Sequence, residues 1–382
     1  MPRKIAVVTT TRALYGYDRR IMRLIDESAG LELQTVVTGA HLLKEYGLSV
    51  REVEQDGFDI AARVDMVVGG DTPTAFAKSL GVCIQSMTQV FEMLAPDIVL
   101  ISGDRGEILA TAVTAAYMNI PVAHIQSGDL SGHIDGSARH AITKLSHIHF
   151  PSCDDSAERV KKLGEEPWRV FMVGSPQLDD LIQGHRLAPQ EVAGRLGLEL
   201  DQPTAIVVQH PVLAEIDQAR DQMIETMEAI KELAIQSVVI YPNVDSAGQE
   251  IVKVIDEYGD LPFVNVCRNL EREVFLGLAG CASVLVGNSS AGILEAPSFK
   301  LAAINVGNRQ RDRMQATNVI NVPHDRQRIS DAIRKALHDE DFKETLSRCV
   351  SPYGDGHSSE RIVKVLTEIS LDQKILDKRM TY

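Results

Sequence analysis

Two adjacent hydroxyls and a lone carboxylate stand out in the stretch VLVGNSSAGILEAPSF, residues 284–299. Ser289 and Ser290 follow an apolar run that predicts a buried strand, and they come directly before a predicted helix. Backbone N–H groups at such a junction, with the positive end of the helix dipole, form a site for an anion such as a phosphate. Glu295 follows Ala291 by one helical turn, where a carboxylate can accept both hydroxyls of a ribose. The stretch favours a nucleotide site; serine capping with an incidental glutamate is the alternative.

The segment at residues 123–150, AHIQSGDLSGHIDGSARHAITKLSHIHF, is dense in acids and histidines. Asp129 and Asp135 lie within a few positions of Arg139, a combination that favours an active-site loop. Capping of the helix that follows is the alternative for Asp135. A metal site is the alternative for the histidines, but the segment has neither an HExxH motif nor paired Cys/His spacings, so we expect no metal. Some of these histidines are expected to be structural.

Polar residues also follow several other predicted strands. Arg12 comes after the first strand, Asp104 and Arg105 after a later one, and His210 and Asn243 after two strands in the second half of the chain. Chemistry in open α/β sheets gathers at the carboxyl ends of strands. Arg12 can bind an anion there, Asp104 can act as a base, and His210 can contact a phosphate or move a proton. A surface arginine, a helix cap and a turn are the respective alternatives for Arg12, Asp104 and Asn243.

The elements that must position these residues are short apolar strands alternating with longer segments of helical period. Apolar runs such as IAVV, IVLI, AIVV and SVLV are continuous rather than alternating, which indicates parallel sheets covered by helices on both faces. The alternation forms two series, separated by a polar stretch. We therefore predict two α/β domains, residues 1–175 and 176–365, a hinge near Gly174 to Pro176 and a polar C-terminal tail at 366–382. Strand-end loops of two such domains predict a ligand cleft between them.

Composition limits the class of protein. The 382 residues are 44% hydrophobic and 24% charged, as in ordinary globular chains, and no apolar run is long enough to span a bilayer. A formal net charge of −14 argues against nucleic acid and anionic membranes as partners, although a small anionic ligand can still bind in a local basic pocket. Five scattered cysteines, and a first strand that begins at once, favour a cytoplasmic protein with reduced thiols.

With these residues in view, the chain resembles the UDP-N-acetylglucosamine 2-epimerase family, and within it the hydrolysing branch that feeds sialic-acid-type sugar synthesis. The motifs that carry the resemblance run in order over about residues 4–370: TTTRALYG, TGAHLLKEYG, SGDRGE, RHAITKLSH, QHPV, YPNVDSAG, VGNSSAGILEAPSF and INVGNRQ. RHAITKLSH together with GNSS and GNRQ is a specific combination.

The resemblance implies a GT-B-like α/β architecture, in which two Rossmann-like domains have parallel sheets facing a central cleft. It implies that Ser289 and Ser290 hold the diphosphate of a UDP-sugar and that Glu295 holds the ribose. Arg12 and His210 would also reach the diphosphate, so its neutralisation needs no metal. The remaining expected binding residues are Arg105, Gln126, Arg139, Asn243 and Arg309. The resemblance implies no cofactor, and it suggests a homodimer or homotetramer.

The chemistry implied is removal of the proton at C2 of the sugar while the nucleotide diphosphate leaves C1, which gives a glycal-type intermediate. Hydrolysing members then add water and reprotonate C2 on the opposite face, releasing a free 2-epimer and UDP. The weakly acidic C2 proton requires a base, an acid on the other face and electrostatic stabilisation of the leaving group. Asp104 and Asp135 match the acid/base positions, with Asp129 and His210 as further catalytic candidates. The backbone around Arg268–Leu270 is expected to bind the uracil.

Three departures from the family pattern lie on the sugar side. Leu14 stands where an acid is usual, Gln126 where the non-hydrolysing branch carries a catalytic glutamate, and Asp129 in SGD where GGE is more usual. Gln126 cannot exchange protons as a carboxylate does, so Asp129 or Asp135 would have to serve. These changes favour a substrate such as a UDP-linked 2,4-diacetamido-trideoxy sugar of legionaminic-type routes. A non-hydrolysing epimerase, a GT-B glycosyltransferase and a catalytically impaired nucleotide-sugar-binding protein are the alternatives.

Overall fold

The apolar runs form two parallel sheets, each with six strands in the part of the chain that the structure describes. The structure is a computed structural model that describes residues 2–44, 47–69, 72–130, 133–184, 186–242 and 248–381. The strands are β1 (Arg3–Thr9), β2 (Leu31–Thr38), β3 (Ile60–Val64), β4 (Ile98–Ser102), β5 (Val122–Ile125), β6 (Ile148–Phe150), β7 (Thr204–Val208), β8 (Gln236–Ile240), β9 (Val264–Cys267), β10 (Val284–Gly287), β11 (Ala302–Val306) and β12 (Val319–Val322).

The helices that cover these sheets are α1 (Arg12–Asp26), α2 (Val50–Gln55), α3 (Pro73–Leu94), α4 (Gly106–Tyr117), α5 (His133–Leu145), α6 (Asp154–Lys162), α7 (Gln177–Gln183), α8 (Pro189–Leu196), α9 (Ala219–Leu233), α10 (Gly248–Tyr258), α11 (Arg272–Cys281), α12 (Ala291–Leu294), α13 (Arg326–His338), α14 (Glu340–Ser347), α15 (Ser358–Glu368) and α16 (Gln373–Leu376). Within the described ranges, no helix combines the length and the hydropathy needed to cross a bilayer.

The first sheet has the strand order β3-β2-β1-β4-β5-β6. Successive residues of β1 alternate between its two faces, with Ile5 and Val7 in one apolar cluster and Ala6 and Val8 in the other. Every residue of β4 is buried. A strand that is covered on both faces needs apolar side chains at each position, which explains the continuous apolar runs of the sequence.

The second sheet repeats this design with the order β12-β11-β10-β7-β8-β9. Along β7, Ala205 and Val207 face one apolar cluster, and Ile206 and Val208 face another. All paired strands of this sheet run parallel. Each sheet is therefore the centre of its own Rossmann-like unit, with helices on both sides.

In each sheet the chain adds strands on one side of the first strand, β1 or β7, and then continues on its other side. β1 lies between β2 and β4, and β7 lies between β8 and β10. Ligands of open α/β sheets bind at such reversals of strand order, at the carboxyl ends of the strands. The loops after β1 and β4 in the first sheet, and those after β7 and β10 in the second, therefore lie where a ligand is expected.

The C-terminal segment belongs to the unit that contains the first sheet. Residues Met1–Asp180 and Tyr353–Tyr382 form this first unit, and Leu181–Pro352 form the second unit. The division differs from the predicted one, which placed 353–365 in the second domain and left 366–382 as a tail. The reason is the apolar face of α15, whose fully buried Ile362 and Leu366 join the cluster of Ile5 and Val7.

Candidate functional site

The loop after β4 carries Asp104 and depends on a glycine. Gly103 has φ +81°, and a Cβ on it would lie 3.0 Å from Cδ2 of Leu14. Leu14 is buried, so the apolar residue that replaces the usual acid packs against this loop. Asp104 is largely buried, and its Oδ2 accepts a charge-assisted hydrogen bond from Arg139. The N-cap residue of α4 is Arg105 rather than Asp104.

The loop after β5 carries Gln126 and Asp129. Gln126 has φ +62°, unusual for a residue with a side chain, and its carbonyl accepts hydrogen bonds from Arg139 (2.8 Å) and from the Asp129 amide (3.3 Å). The Ser152 hydroxyl donates to Asp129 Oδ2 (2.9 Å). Asp129 Oδ1 is buried and has no hydrogen-bond partner among the described residues. A buried carboxylate oxygen of this kind is costly unless a ligand satisfies it, so Oδ1 is a candidate substrate contact.

Arg139 links these two loops from α5. Its side chain is 8% exposed, with Nη2 on Asp104 and Nη1 on the carbonyl of Gln126. Asp135 lies four residues earlier on the same helix, one turn nearer its N-terminus, and its side chain lies outside the described part of the chain. The structure therefore brings Asp104, Gln126 and Arg139 together, and the role of Asp135 stays a prediction.

Three histidines of the acid-rich segment are buried structural residues. His124 of β5 is fully buried, its Nε2 donates to the Gly103 carbonyl (2.7 Å), and burial lowers its pKa to about 3. His147 accepts a hydrogen bond from a backbone amide of β5, and burial lowers its pKa to about 4. Burial also lowers the pKa of His149. With these pKa values His124 and His147 are neutral at pH 7, and the hydrogen bond of His124 to Gly103 supports the loop that carries Asp104.

A buried carboxyl group that the sequence analysis did not single out lies beneath the same loops. Asp18 of α1 is 1% exposed, and it accepts hydrogen bonds from the hydroxyls of Ser102, the last residue of β4, and Thr9, the last of β1. Burial raises its pKa to about 7 against the effect of these hydroxyls. The available signal was its place on the buried face of α1, one turn after Leu14 and one turn before Met22.

The arginines predicted to reach the diphosphate from the first unit are exposed. The side chain of Arg12 is 77% exposed, with Nε 3.0 Å from Oε1 of Glu52. That of Arg105 is 47% exposed, with Nε 3.4 Å from Oε2 of Glu107. The pair of Arg12 and Glu52 is exposed and therefore weak, so Arg12 can turn towards an anion. The carboxylate that Arg105 contacts is buried, with a side chain 5% exposed. Their roles in binding stay predictions.

The serine loop, Ser289–Ser290, is fixed to the loop that carries His210. Gly287 ends β10 with φ +127°, and a Cβ on it would lie 2.1 Å from the carbonyl oxygen of Val208, so this close approach of β10 to β7 requires glycine. The side chain of Asn288 then accepts from the His210 amide (2.7 Å) and donates to the His210 carbonyl (2.8 Å). The hydroxyls and the imidazole predicted to face the diphosphate thus leave adjacent strands at one end of the sheet.

The motif after β11 supports the serine loop from its other side. Arg309 Nη1 and Gln310 Nε2 both donate to the carbonyl of Asn288, at 3.1 Å and 2.9 Å. Asn288 therefore contacts segments that follow two neighbours of β10. The structure gives Arg309 this supporting contact, and its predicted role in substrate binding stays a prediction.

Glu295 is buried and paired with an arginine that the sequence analysis missed. Nη1 of Arg272, the first residue of α11, lies 3.1 Å from each carboxylate oxygen. The side chain of Glu295 is 5% exposed and that of Arg272 is 46% exposed. Arg272 comes shortly after Arg268–Leu270, so the pair connects the segments predicted to bind the ribose and the uracil. A spacing of 23 residues hides such a pair until the chain folds.

The helix after the serine loop is shorter than the sequence pattern predicts. α12 spans only Ala291–Leu294, and a 3₁₀ turn at Ala296–Phe299 follows it. Pro297 has no amide hydrogen for the carbonyl four residues earlier, which ends the helix. One turn carries little of the macrodipole that the sequence interpretation used. Anion binding here would depend on the hydroxyls and on local backbone amides.

For Asn243 and Arg268, the roles predicted in substrate binding stay predictions. Asn243 lies outside the described residues. Arg268 is exposed after β9, at the edge of the sheet. In the part of the chain that the structure describes, no three His, Cys, Asp or Glu side chains are grouped so as to hold a metal ion.

Comparison with known sequences gives full-length matches. A family model described as UDP-N-acetylglucosamine 2-epimerase matches residues 23–367. The chain is 38% identical, over 100% of both chains, to the UDP-N,N'-diacetylbacillosamine 2-epimerase (hydrolyzing) of Legionella pneumophila. It is 32% identical, over 97% of each chain, to the GDP/UDP-N,N'-diacetylbacillosamine 2-epimerase (hydrolyzing) of Campylobacter jejuni.

The fold also has a solved counterpart. The crystal structure of UDP-GlcNAc 2-epimerase from Neisseria meningitidis bound to UDP-GlcNAc matches with a TM-score of 0.80 at 17% identity, and the match covers 96% of this chain and 100% of that one. A likeness at this identity concerns the fold alone. It confirms the predicted GT-B-like class with two Rossmann-like units.

Proposed function

Because the chain belongs to the UDP-N-acetylglucosamine 2-epimerase family, we propose that it is a hydrolysing 2-epimerase that converts a UDP-linked N-acetylated sugar to the free 2-epimer and UDP. The resemblance predicted from the motifs is confirmed by the family match at residues 23–367. The two relatives named hydrolyzing, 38% and 32% identical, support the hydrolysing branch. The substrate that we propose is UDP-N,N'-diacetylbacillosamine, a 2,4-diacetamido-trideoxy sugar nucleotide that both names contain.

The observation that carries the proposal is the grouping of acid and amide groups around one buried arginine. Arg139 contacts the loops of Asp104 and Gln126, and Asp129 follows in the second of these loops. These loops leave the first sheet at β4 and β5, next to the reversal of strand order. A base and an acid fixed close together are what epimerisation at C2 requires.

We assign the nucleotide to the second unit. Hydroxyls of the serine loop and the imidazole of His210 would donate to the diphosphate, and Glu295 would accept from the ribose. The Asn288 bridge fixes the serine loop to the His210 loop before the ligand arrives. Arg272 already points its guanidinium at Glu295 and would keep that carboxylate in place. Donors held in place in advance stabilise a leaving diphosphate without reorganisation.

We assign the sugar chemistry to the first unit. A carboxylate removes the proton at C2, the electron pair of that bond forms the C1–C2 double bond, and the C1–O bond breaks with its electron pair on UDP. Water then adds its oxygen to C1 of the glycal and loses one proton to a carboxylate, while an acid returns a proton to C2 on the opposite face. The residues that we propose for these proton transfers are Asp104, Asp129 and Asp135, since Gln126 cannot carry a proton. Arg139 orients Asp104 for this step.

The test is turnover in deuterated water followed by NMR. Purified protein is incubated separately with UDP-N,N'-diacetylbacillosamine and with UDP-N-acetylglucosamine, without added metal. We expect UDP and the free 2-epimer of the diacetamido sugar, with one deuterium at C2, and slower turnover of UDP-N-acetylglucosamine. Deuterium enters C2 only if the bond to hydrogen is broken there.

Other products would point to the other functions. An intact 2-epimerised sugar nucleotide identifies a non-hydrolysing epimerase. UDP release that requires an acceptor alcohol identifies a glycosyltransferase. Binding of UDP by calorimetry without turnover of either sugar nucleotide identifies a nucleotide-sugar-binding protein. Each of these outcomes rejects the hydrolysing epimerase.

We further propose that the protein acts in the cytoplasm as a homodimer or homotetramer, in a route to sialic- or legionaminic-type sugars. The support is the family resemblance and the absence of paired cysteine motifs in the sequence. Light scattering of the purified protein gives the oligomeric state directly. A monomer at micromolar concentration would reject the oligomer.

A further inference from the structure

Residues 372–381, here named the C-terminal strap, are anchored in the first unit by a buried arginine. Arg169 is fully buried, and its guanidinium donates to the carbonyls of Ile375 (2.7 Å), Lys374 (2.9 Å) and Asp377 (3.2 Å). The ring of Trp168 lies under both the guanidinium of Arg169 and the ammonium of Lys374, at 4.2 Å and 4.4 Å from its centroid. The three charge-assisted bonds from Arg169 to backbone carbonyls fix the position of the strap on the unit.

Lys378 of the strap caps the C-terminal end of α5. Its Nζ donates to the carbonyls of Lys144 (2.7 Å) and Ser146 (2.5 Å) and lies 3.5 Å from that of Thr143. These carbonyls belong to the last turn of α5 or follow it directly. The Thr143 carbonyl also accepts from the Ser146 amide (3.2 Å), whereas a helix has no amides of its own for the carbonyls at its very end, such as that of Lys144. A cation is also the charge that the helix dipole favours at this end.

The ammonium of Lys378 is held in place by a buried carboxylate. Its Nζ lies 2.8 Å from Oε2 of Glu165, whose side chain is 1% exposed. Lys144 (2.6 Å) and His149 (3.0 Å) contact the same carboxylate. These groups lower the pKa of Glu165 to about 2 against the effect of burial. Glu165 is therefore ionised and fixes the cation that caps α5.

The other part of α5 carries groups of the candidate site. The hydroxyl of Thr143 donates to the carbonyl of Arg139 one turn earlier (2.9 Å), and Arg139 contacts Asp104 and the carbonyl of Gln126. Asp135 lies one further turn towards the N-terminus. A helix moves along its axis as a rigid element, so a support at its C-terminal end sets the position of these groups.

We propose that Lys378 is a positioning residue: by capping α5 it holds Arg139 and Asp135 in register with Asp104. The inference rests on the proposed function, because it assigns these groups to the sugar chemistry. A displacement of about 1 Å in a catalytic group costs on the order of 100-fold in rate. Loss of the cap should therefore lower kcat while binding of UDP, assigned to the second unit, stays unchanged.

The experiment compares Lys378→Met, Lys378→Arg and the matched control Lys374→Met. Lys374 lies in the same strap, and its ammonium contacts Trp168 rather than α5. The measurements are kcat and KM for UDP-N,N'-diacetylbacillosamine, Kd for UDP by calorimetry, and amide hydrogen exchange of α5 by mass spectrometry. Lys378→Met should lower kcat by roughly 10- to 100-fold and speed exchange in α5, with Kd unchanged. Lys378→Arg keeps a cation opposite Glu165 and should recover part of kcat, and Lys374→Met should match the parent protein.

The exchange measurement separates this inference from the proposed function, because it needs no turnover. If Lys378→Met leaves exchange in α5 unchanged, the cap is not a support and the inference is overturned, whatever the protein catalyses. Faster exchange with an unchanged kcat also overturns it. If Lys378→Met does not fold, the neutral variant Lys378→Gln decides: faster exchange in α5 with lowered kcat and unchanged Kd supports the inference, and parent-like values overturn it. An inactive parent protein would reject the proposed function instead.

Discussion

Arg139 is the residue that joins the two acid-bearing loops of the first unit. Its two terminal nitrogens contact different strand-end loops, and its position on α5 brings Asp135 within one turn. The sequence pointed to the acids as candidate catalytic residues, but it did not predict that Arg139 contacts Asp104, because the two residues are 35 positions apart. Asp18 lies on the apolar face of α1, which was the available signal, but its partner Ser102 is 84 positions away in the sequence.

Replacing Asp104 tests the assignment of the proton transfers. Asp104→Asn keeps the shape of the side chain but removes the group that can take the C2 proton, so kcat should fall by at least ~100-fold. Exchange of the C2 proton with deuterated water should fall equally. Asp59→Asn, at an exposed position of the same unit, should keep the parent rate. A near-normal rate in Asp104→Asn would remove Asp104 from the mechanism.

The ion pair of Arg272 and Glu295 tests the nucleotide assignment. Glu295→Gln removes the negative acceptor proposed for the ribose, so Kd for UDP should rise roughly 10-fold, the loss expected for a hydrogen bond to a charged group. Arg272→Met should weaken UDP binding less, because it removes only the support of Glu295. Calorimetry on the two single variants and the double variant gives their coupling. Additive losses would show that the pair does not act together on the nucleotide.

Central strands were predictable from the sequence, whereas only one of the four edge strands, β6 in SHIHF, was predicted. β1, β4, β7 and β10 are buried on both faces and show as continuous apolar runs. The other three edge strands, β3, β9 and β12, were not predicted. Their residues are mostly half-exposed, so a polar side chain costs little there and the apolar signal is interrupted. The serine loop and the loop of His210 leave two of these central strands, β10 and β7, which pair with each other.

The junction of β10 with β7 should tolerate glycine alone at position 287. In Gly287→Ala the new methyl carbon would meet the Val208 carbonyl at 2.1 Å, and the residue must also keep φ +127°. Overpacking and the positive φ together should cost about 3 to 5 kcal/mol in the free energy of unfolding. Urea unfolding measures it. Gly194→Ala, in an exposed helical position with no atom within 4 Å, should instead stabilise by about 0.5 to 1 kcal/mol.

At the scale of the whole molecule, the buried histidines are unevenly distributed. Burial lowers the pKa of His41 and His147 to about 4 and that of His124 to about 3, all in the first unit. A lowered histidine pKa means that the unfolded chain binds more protons, so this stability is present above about pH 6.5 and is lost as pH falls towards 4. Asp18, with its pKa raised to about 7, acts in the opposite direction over the same range.

Acidification should therefore destabilise the first unit. Five histidines of the first unit have a lowered pKa, since His140 and His149 join the three above, and two of its carboxyls, Asp18 and Asp179, have a raised one. The histidines outweigh the carboxyls, so the urea midpoint of the first unit should fall between about pH 7 and about pH 5. Trp168, the only tryptophan of the chain, lies in the first unit and reports its unfolding by fluorescence. Asp18→Asn removes one of the opposing contributions and should steepen the fall. A midpoint that is constant or rises over this range would contradict the neutral burial of these histidines.

The first unit is assembled from two stretches of chain that the whole second unit separates. During translation its strands β1–β6 are made first, but one apolar cluster of its sheet also needs Ile362, Leu366 and Ile375. Helix α1 packs on that face early, but the face is fully covered only when α15 and α16 have been made, whereas the continuous second unit can fold before then. The first unit therefore begins to be translated first but finishes folding last. Chaperones that bind apolar nascent chains are expected to assist the first unit rather than the second.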